Sequence, residues 1–119
     1  MNSFVILFRP PTKPLSDAER RQLTQETGIW ARRQNDAGHA LDPRIFGPES
    51  AVYGPREGAD ERPVSGLLFL QAADLGAAGR VAESHPALAS GYSAEVRPWA
   101  DPRNNAQPAG PGLQAARQP

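Results

Sequence analysis

The run GHALDPRIFGPE, residues 38–49, sets His39, Asp42 and Arg44 within six positions of one another. Those residue types suit acid–base work on a small acid. Imidazole titrates near neutrality, a carboxylate can orient it, and a guanidinium holds a carboxylate through two parallel hydrogen bonds. His39 is therefore the candidate base, with Asp42 or Tyr53 as its aid. Arg9 and Arg44 are candidate carboxylate anchors. Trp30 and Tyr53 are amphipathic aromatics of the kind that line small-molecule clefts.

Each candidate has a plainer reading that the sequence leaves open. His39 also reads as a surface histidine behind the helix-stopping Gly38. On a regular strand residues three apart face opposite ways, so His39 and Asp42 meet only where a bulge or Pro43 bends the chain. Arg44 lies two residues from Asp42 and shares a strand face with it, which allows an ordinary ion pair. Arg9 also reads as a solvated strand end, and Trp30 as core at helical spacing from Leu23. His85, before Pro86 at a helix end, reads as a cap whose positive ring complements the last carbonyls.

The elements that must position these residues follow from periodicity. SFVILFR (3–9) is apolar on both faces, with Phe4, Ile6 and Phe8 on one and Val5 and Leu7 on the other, as a central strand requires. Ser16 and Glu19 have capping-box spacing, so a helix is expected from Asp17 to about Asp36, with an apolar stripe of Ala18, Leu23, Trp30 and Ala37. HALDPRIF reads as a strand that Pro43 restricts to an edge or a bulge. AVYG (51–54) offers a short return strand, and GLLFLQA (66–72) a second central one. Asp74 caps a second helix with Leu75, Ala78, Val81 and Ala82 on its buried side, ending near Ser84 because Pro86 follows. SAEVRPW (93–99) alternates Ala94 and Val96 against Glu95 and Arg97, a strand with one wet face. The order β-α-β-(β)-β-α-β predicts a ferredoxin-like α+β sheet over residues 1–99 with both helices on one face. The bare apolar face predicts a homodimer. Residues 100–119, with four prolines and two glycines, predict a tail without a core, disordered or draped on a partner.

Composition removes several function classes. Thirteen basic and thirteen acidic residues balance, so no long-range field draws the chain to nucleic acid or anionic lipid. Zero cysteines exclude a disulfide frame, a thiolate metal site and a cysteine nucleophile. The two histidines lack metal-ligand spacing, and no glycine-rich phosphate loop follows a strand. No metal, cofactor, nucleic acid or membrane partner is expected. The apolar run Phe4–Phe8 is too short for a signal core or a span, so a cytoplasmic chain is expected.

SFVILFR, the tryptophan-bearing helix ending in AGH, FGPE (46–49), SGLLFLQAADL and HPALASGYSAEVRP (85–98) together resemble the YCII-related (DGPF-type) family of bacterial proteins. The likeness covers residues 3–99. It implies a dimeric α+β barrel with small clefts beside face-to-face sheets. It also implies, through relatives similar to chloromuconolactone dehalogenases, cofactor-free chemistry on small lactone-like acids. The Asp-Gly-Pro-Phe run itself is missing: YGPR (53–56) is its degenerate form, or the loop is shortened past it. A histidine that some relatives carry on the first helix has no counterpart, since Thr27 falls near that place. The expected function is thus binding of a small anionic or cyclic metabolite, with proton transfer, isomerisation or elimination if it is an enzyme. The other reading is a non-catalytic dimeric module for assembly or regulation.

Overall fold

A computed structural model describes residues 1–55 and 62–100. Four strands, β1 (Asn2–Arg9), β2 (Asp42–Ile45), β3 (Gly66–Ala72) and β4 (Ser93–Pro98), form one antiparallel sheet in the order β2-β3-β1-β4. Two α-helices, α1 (Asp17–Asp36) and α2 (Leu75–Glu83), and a 3-10 turn at Pro86–Ser90 are the other elements among the described residues. The architecture is consistent with a ferredoxin-like α+β fold. Residues 66–72 and the first strand take the two central places, as their lack of alternation requires.

Local rules set the helix ends. Ser16 Oγ accepts from the Glu19 N–H at 3.1 Å, and the Glu19 carboxylate accepts from the Ser16 N–H at 2.9 Å, closing the expected capping box. Those hydrogen bonds favour the ionised carboxylate and hold Glu19 below the usual carboxylate range. Ala37 is the C-cap of α1, and Gly38 follows at φ 94°, a left-handed turn that glycine takes without steric cost. The Asp74 side chain accepts from the Ala77 N–H at 2.8 Å to start α2, and Ser84 ends it.

Register sorts the strand residues into two faces. Phe4, Ile6 and Phe8 lie opposite Leu70, Leu68 and Gly66, and beside Pro98, Val96 and Ala94. On this face Phe4, Ile6, Leu68, Leu70 and Ala72 form one core cluster with Trp30 of α1 and Ala78, Val81 and Ala82 of α2. The opposite face carries Val5, Leu7, Leu67 and Phe69, all only half-buried, so the two faces of the central strands are not covered equally.

Four expectations need correction. AVYG (51–54) is not a strand: Gly54 stands at φ 78°, Val52 and Tyr53 are exposed, and both sides of β3 are already taken by β1 and β2. The strand of HALDPRIF begins only at Asp42, because Ala40 adopts φ 47° and breaks it; as expected of its proline, the strand is an edge. The stripe on α1 is narrower than its spacing suggests. Trp30 is its one buried residue, while Leu23 is half-buried and Ala18 and Ala37 are exposed. Leu75, at the first turn of α2, is likewise exposed. The tail expected at 100–119 lies, from residue 101 on, outside the described residues.

Candidate functional site

The narrow contact of α1 has a consequence for the site. α1 rests on the 3-10 turn through Trp30 and leaves a cleft of about 540 Å³ between its inner side and the β2–β3 margin. Leu23, Thr27, Trp30 and Asn35 of α1 form one wall, Leu41, Pro43, Ile45 and Phe46 the other, and Phe8, Gly66 and Leu68 the floor. Two local features keep the cleft open. Pro43 and Ile45 alternate toward the helix side from an edge strand. Gly66, opposite Ile45 and Phe8, adds no side chain to the floor.

His85 stands in this cleft, and sequence reasoning did not place it there. Its ring centroid lies 4.7 Å from that of Phe8 and 4.5 Å from that of Trp30, at tilts of 50° and 58°. It is a cap, but of another kind than its position suggests. The side chain caps the N-terminus of the 3-10 turn, where Nδ1 accepts the Ala87 N–H at 3.0 Å. Burial among apolar groups pushes its pKa down to about 4, so at neutral pH the ring is uncharged rather than positive. Because an amide N–H only donates, Nδ1 carries the lone pair and the ring proton sits on Nε2. Trp30 is tied into the same corner: its Nε1 donates to Ser84 Oγ at 2.8 Å, and that hydroxyl donates to the Val81 carbonyl at 2.7 Å.

The residues singled out from spacing are dispersed by the fold. His39 continues the β2–β3 ladder beyond the break at Ala40: its carbonyl accepts from Gln71 N at 2.8 Å, and its Nδ1 donates to the Gln71 carbonyl at 2.9 Å. It is half-buried but is not a wall of the cleft. Asp42 is engaged by Arg44 in an ion pair on the sheet face away from the helices, so no hydrogen bond joins His39 to Asp42 among the described residues. Arg44 lies along the cleft margin, but its guanidinium is held by Asp42 and the Pro43 carbonyl. Arg9 donates to Glu95 at 3.1 Å on that same outer face, separated from Arg44 by β3. Tyr53 is 89% exposed, and of its YGPR run Arg56 lies outside the described residues. Of the six candidates, Trp30 and Arg44 border the cleft, Trp30 as a buried aromatic packed on His85 and Arg44 through a side chain already paired with Asp42.

The chemistry on offer is recognition by shape with a few scattered polar groups. Apolar walls, a neutral histidine and Asn35, Thr24, Thr27, Ser65 and Tyr92 at intervals make a pocket of the composition that small molecules use. No group of three or more His, Cys, Asp or Glu residues is placed to hold a metal among the described residues. No helix among them is long and apolar enough to cross a membrane. No protein-family model matches the chain, and no curated protein matches it.

Proposed function

We propose that the chain is a small-molecule-binding protein whose ligand occupies the cleft between α1 and the β2–β3 margin. The observation that carries this is the cleft itself, a concave, apolar volume of about 540 Å³ floored by Phe8 and Leu68. That is ample for a one- or two-ring compound, and burial of its apolar surface supplies about 25 cal/mol per Å². The lining favours the cyclic, lactone-like side of the sequence expectation over the anionic side. The single charged residue along it among the described residues, Arg44, already holds a carboxylate. Binding without turnover is the better-supported activity, because His39 and Asp42 are each engaged elsewhere.

A thermal-shift screen of lactones, cyclic ketones and small carboxylic acids tests this. A binder at a hundred times its Kd adds about 2.7 kcal/mol of stability and raises Tm accordingly. Thr27→Phe fills the cleft from its α1 wall, where the half-buried Thr27 lies outside the core cluster, so it should abolish the shift while leaving the fold intact. A ligand shift that survives Thr27→Phe unchanged places the site elsewhere.

The YCII-related dimeric α+β barrel remains our proposal for the assembly. On the outer sheet face, half-buried Val5, Leu7, Leu67 and Phe69 make an apolar centre, extended by Trp99 whose ring meets Phe69 edge-on at 5.1 Å. Asp42 and Arg44 flank it on the β2 side, and Glu95, Arg97 and Arg9 on the other, so each margin carries both signs of charge. A two-fold pairing of such a face meets opposite charges at its rim and covers its own centre. Leu7→Asp places two like charges in the middle of that pairing. Sedimentation should then report a protomer where the parent sediments as a dimer. A parent that stays a single protomer at micromolar concentration removes this assembly.

A further inference from the structure

Resting on the cleft as the binding site, a narrower inference concerns the imidazole of His85 that lines it. We propose that the His85 Nε2–H is the polar recognition point of the cleft, donating to a carbonyl or ether oxygen of an uncharged, largely apolar ring compound. Three observations carry it. First, the tautomer is set by the backbone: the Ala87 N–H occupies Nδ1 at 3.0 Å, which leaves the proton on Nε2. Second, the ring is held in place, wedged against Phe8 and Trp30 at centroid distances of 4.7 and 4.5 Å, and Trp30 is itself anchored on Ser84. Third, Nε2 makes no hydrogen bond among the described residues, while the ring forms part of the cleft wall.

A donor held in that way reads an acceptor. It offers nothing to a ligand cation. Nor does it neutralise an anion, since the imidazole is uncharged and the guanidinium of Arg44 is committed to Asp42. A carboxylate moved into this volume loses its hydration without gaining a counter-ion, a cost that one neutral hydrogen bond does not offset. An uncharged oxygen loses much less and gains the directional contact. The aromatic rings of Phe8 and Trp30 beside the donor favour a planar or cyclic body carrying that oxygen.

Two substitutions separate the two ring nitrogens. In His85→Asn the amide oxygen can take over the N-cap role of Nδ1, but nothing reaches the position of Nε2. In His85→Gln the longer amide can present an N–H where Nε2 was, at the expense of the cap. The probes are coumarin, naphthalene of similar shape without an acceptor, and 1-naphthoate, titrated into the whole chain by calorimetry. Parent protein labelled with ¹⁵N reports the Nε2–H directly by NMR. Coumarin should bind about tenfold more tightly than naphthalene, the difference expected of one net hydrogen bond, and 1-naphthoate most weakly. His85→Asn should erase the coumarin preference, His85→Gln should restore part of it, and coumarin should shift the Nε2 resonance of the parent. Coumarin and naphthalene binding equally well, with the Nε2 resonance unmoved, overturns the role of His85 while the cleft stands as a binding site. If no probe binds and no cleft amide shifts, the cleft reading fails and this inference with it. Should His85→Asn fail to fold, the parent's coumarin preference and Nε2 shift decide the matter.

Discussion

Trp30→Ala is expected to destabilise the protein by about 3–5 kcal/mol, the usual cost of truncating a buried aromatic. Trp30 is 5% exposed and is the one buried residue of the twenty in α1. Its removal takes away the packing against His85 and the hydrogen bond to Ser84 Oγ together. With total stability of a domain this size near 5–15 kcal/mol, that loss threatens the fold, and α1 should be the first element released. Urea unfolding gives the magnitude, and amide exchange shows whether protection falls in residues 17–36 before it falls in the central strands. Trp30→Phe keeps most of the ring but not the donor, and should cost about 1–2 kcal/mol. A Trp30→Ala protein within 1 kcal/mol of the parent would mean that α1 is held by something other than this side chain. Because the same residue walls the cleft, the alanine variant should also lose any ligand shift.

The second large effect is a pH dependence carried by His85. Its pKa is pushed down to about 4 in the folded protein, against about 6.5 when exposed. Burial is the cause, the ring being packed against Phe8 and Trp30 with no charged partner among the described residues. The unfolded chain therefore binds a proton between those two values that the folded chain refuses. Stability is full above about pH 6.5, falls as pH drops toward 4, and loses nothing more from this group below that. A gap of this size corresponds to at most about 3.4 kcal/mol. The ring is only partly buried, so water and salt screen the effect, and about 1–2 kcal/mol is expected. Carboxylates such as that of Glu19, held low by its cap, also weaken the fold in acid. The comparison must therefore be between the parent and His85→Gln, which removes the imidazole alone. Denaturation at pH 7 and pH 4.5 should show the parent losing about 1–2 kcal/mol more than the variant. Parallel losses in the two proteins would show that His85 does not titrate in this window.

Much of the framework was readable from spacing. The capping box at Ser16 and Glu19, the left-handed Gly38 and the Asp74 cap are made within a few residues, and the fold does not alter them. The apolar runs within 3–9 and 66–72 take the central strand places, where strands without alternation are expected. Alternation in SAEVRP puts Glu95 and Arg97 on the outer face and Ala94 and Val96 toward the core, as its period of two demands. The Asp42–Arg44 pair, two residues apart on one strand face, was legible for the same reason.

The site was not legible, because its contacts join residues far apart in the chain. Spacing drew attention to His39, which turns out to spend Nδ1 on the Gln71 carbonyl across the ladder. It passed over His85, whose neighbours Phe8 and Trp30 lie 77 and 55 residues away along the chain. Nothing in the run HPALAS says that a neutral ring will stand against two aromatics. Periodicity gives each residue a face, and capping chemistry gives each helix its ends; both act over a few residues, so the sequence alone determined them. The distance from α1 to the sheet depends instead on where Trp30 finds a socket, and that socket is built from a helix end, a turn and a strand at once. Only the tertiary structure could decide that the helix would lean on the turn and leave a cleft beside it, since no local rule specifies how two surfaces with imperfect stripes come to rest on each other.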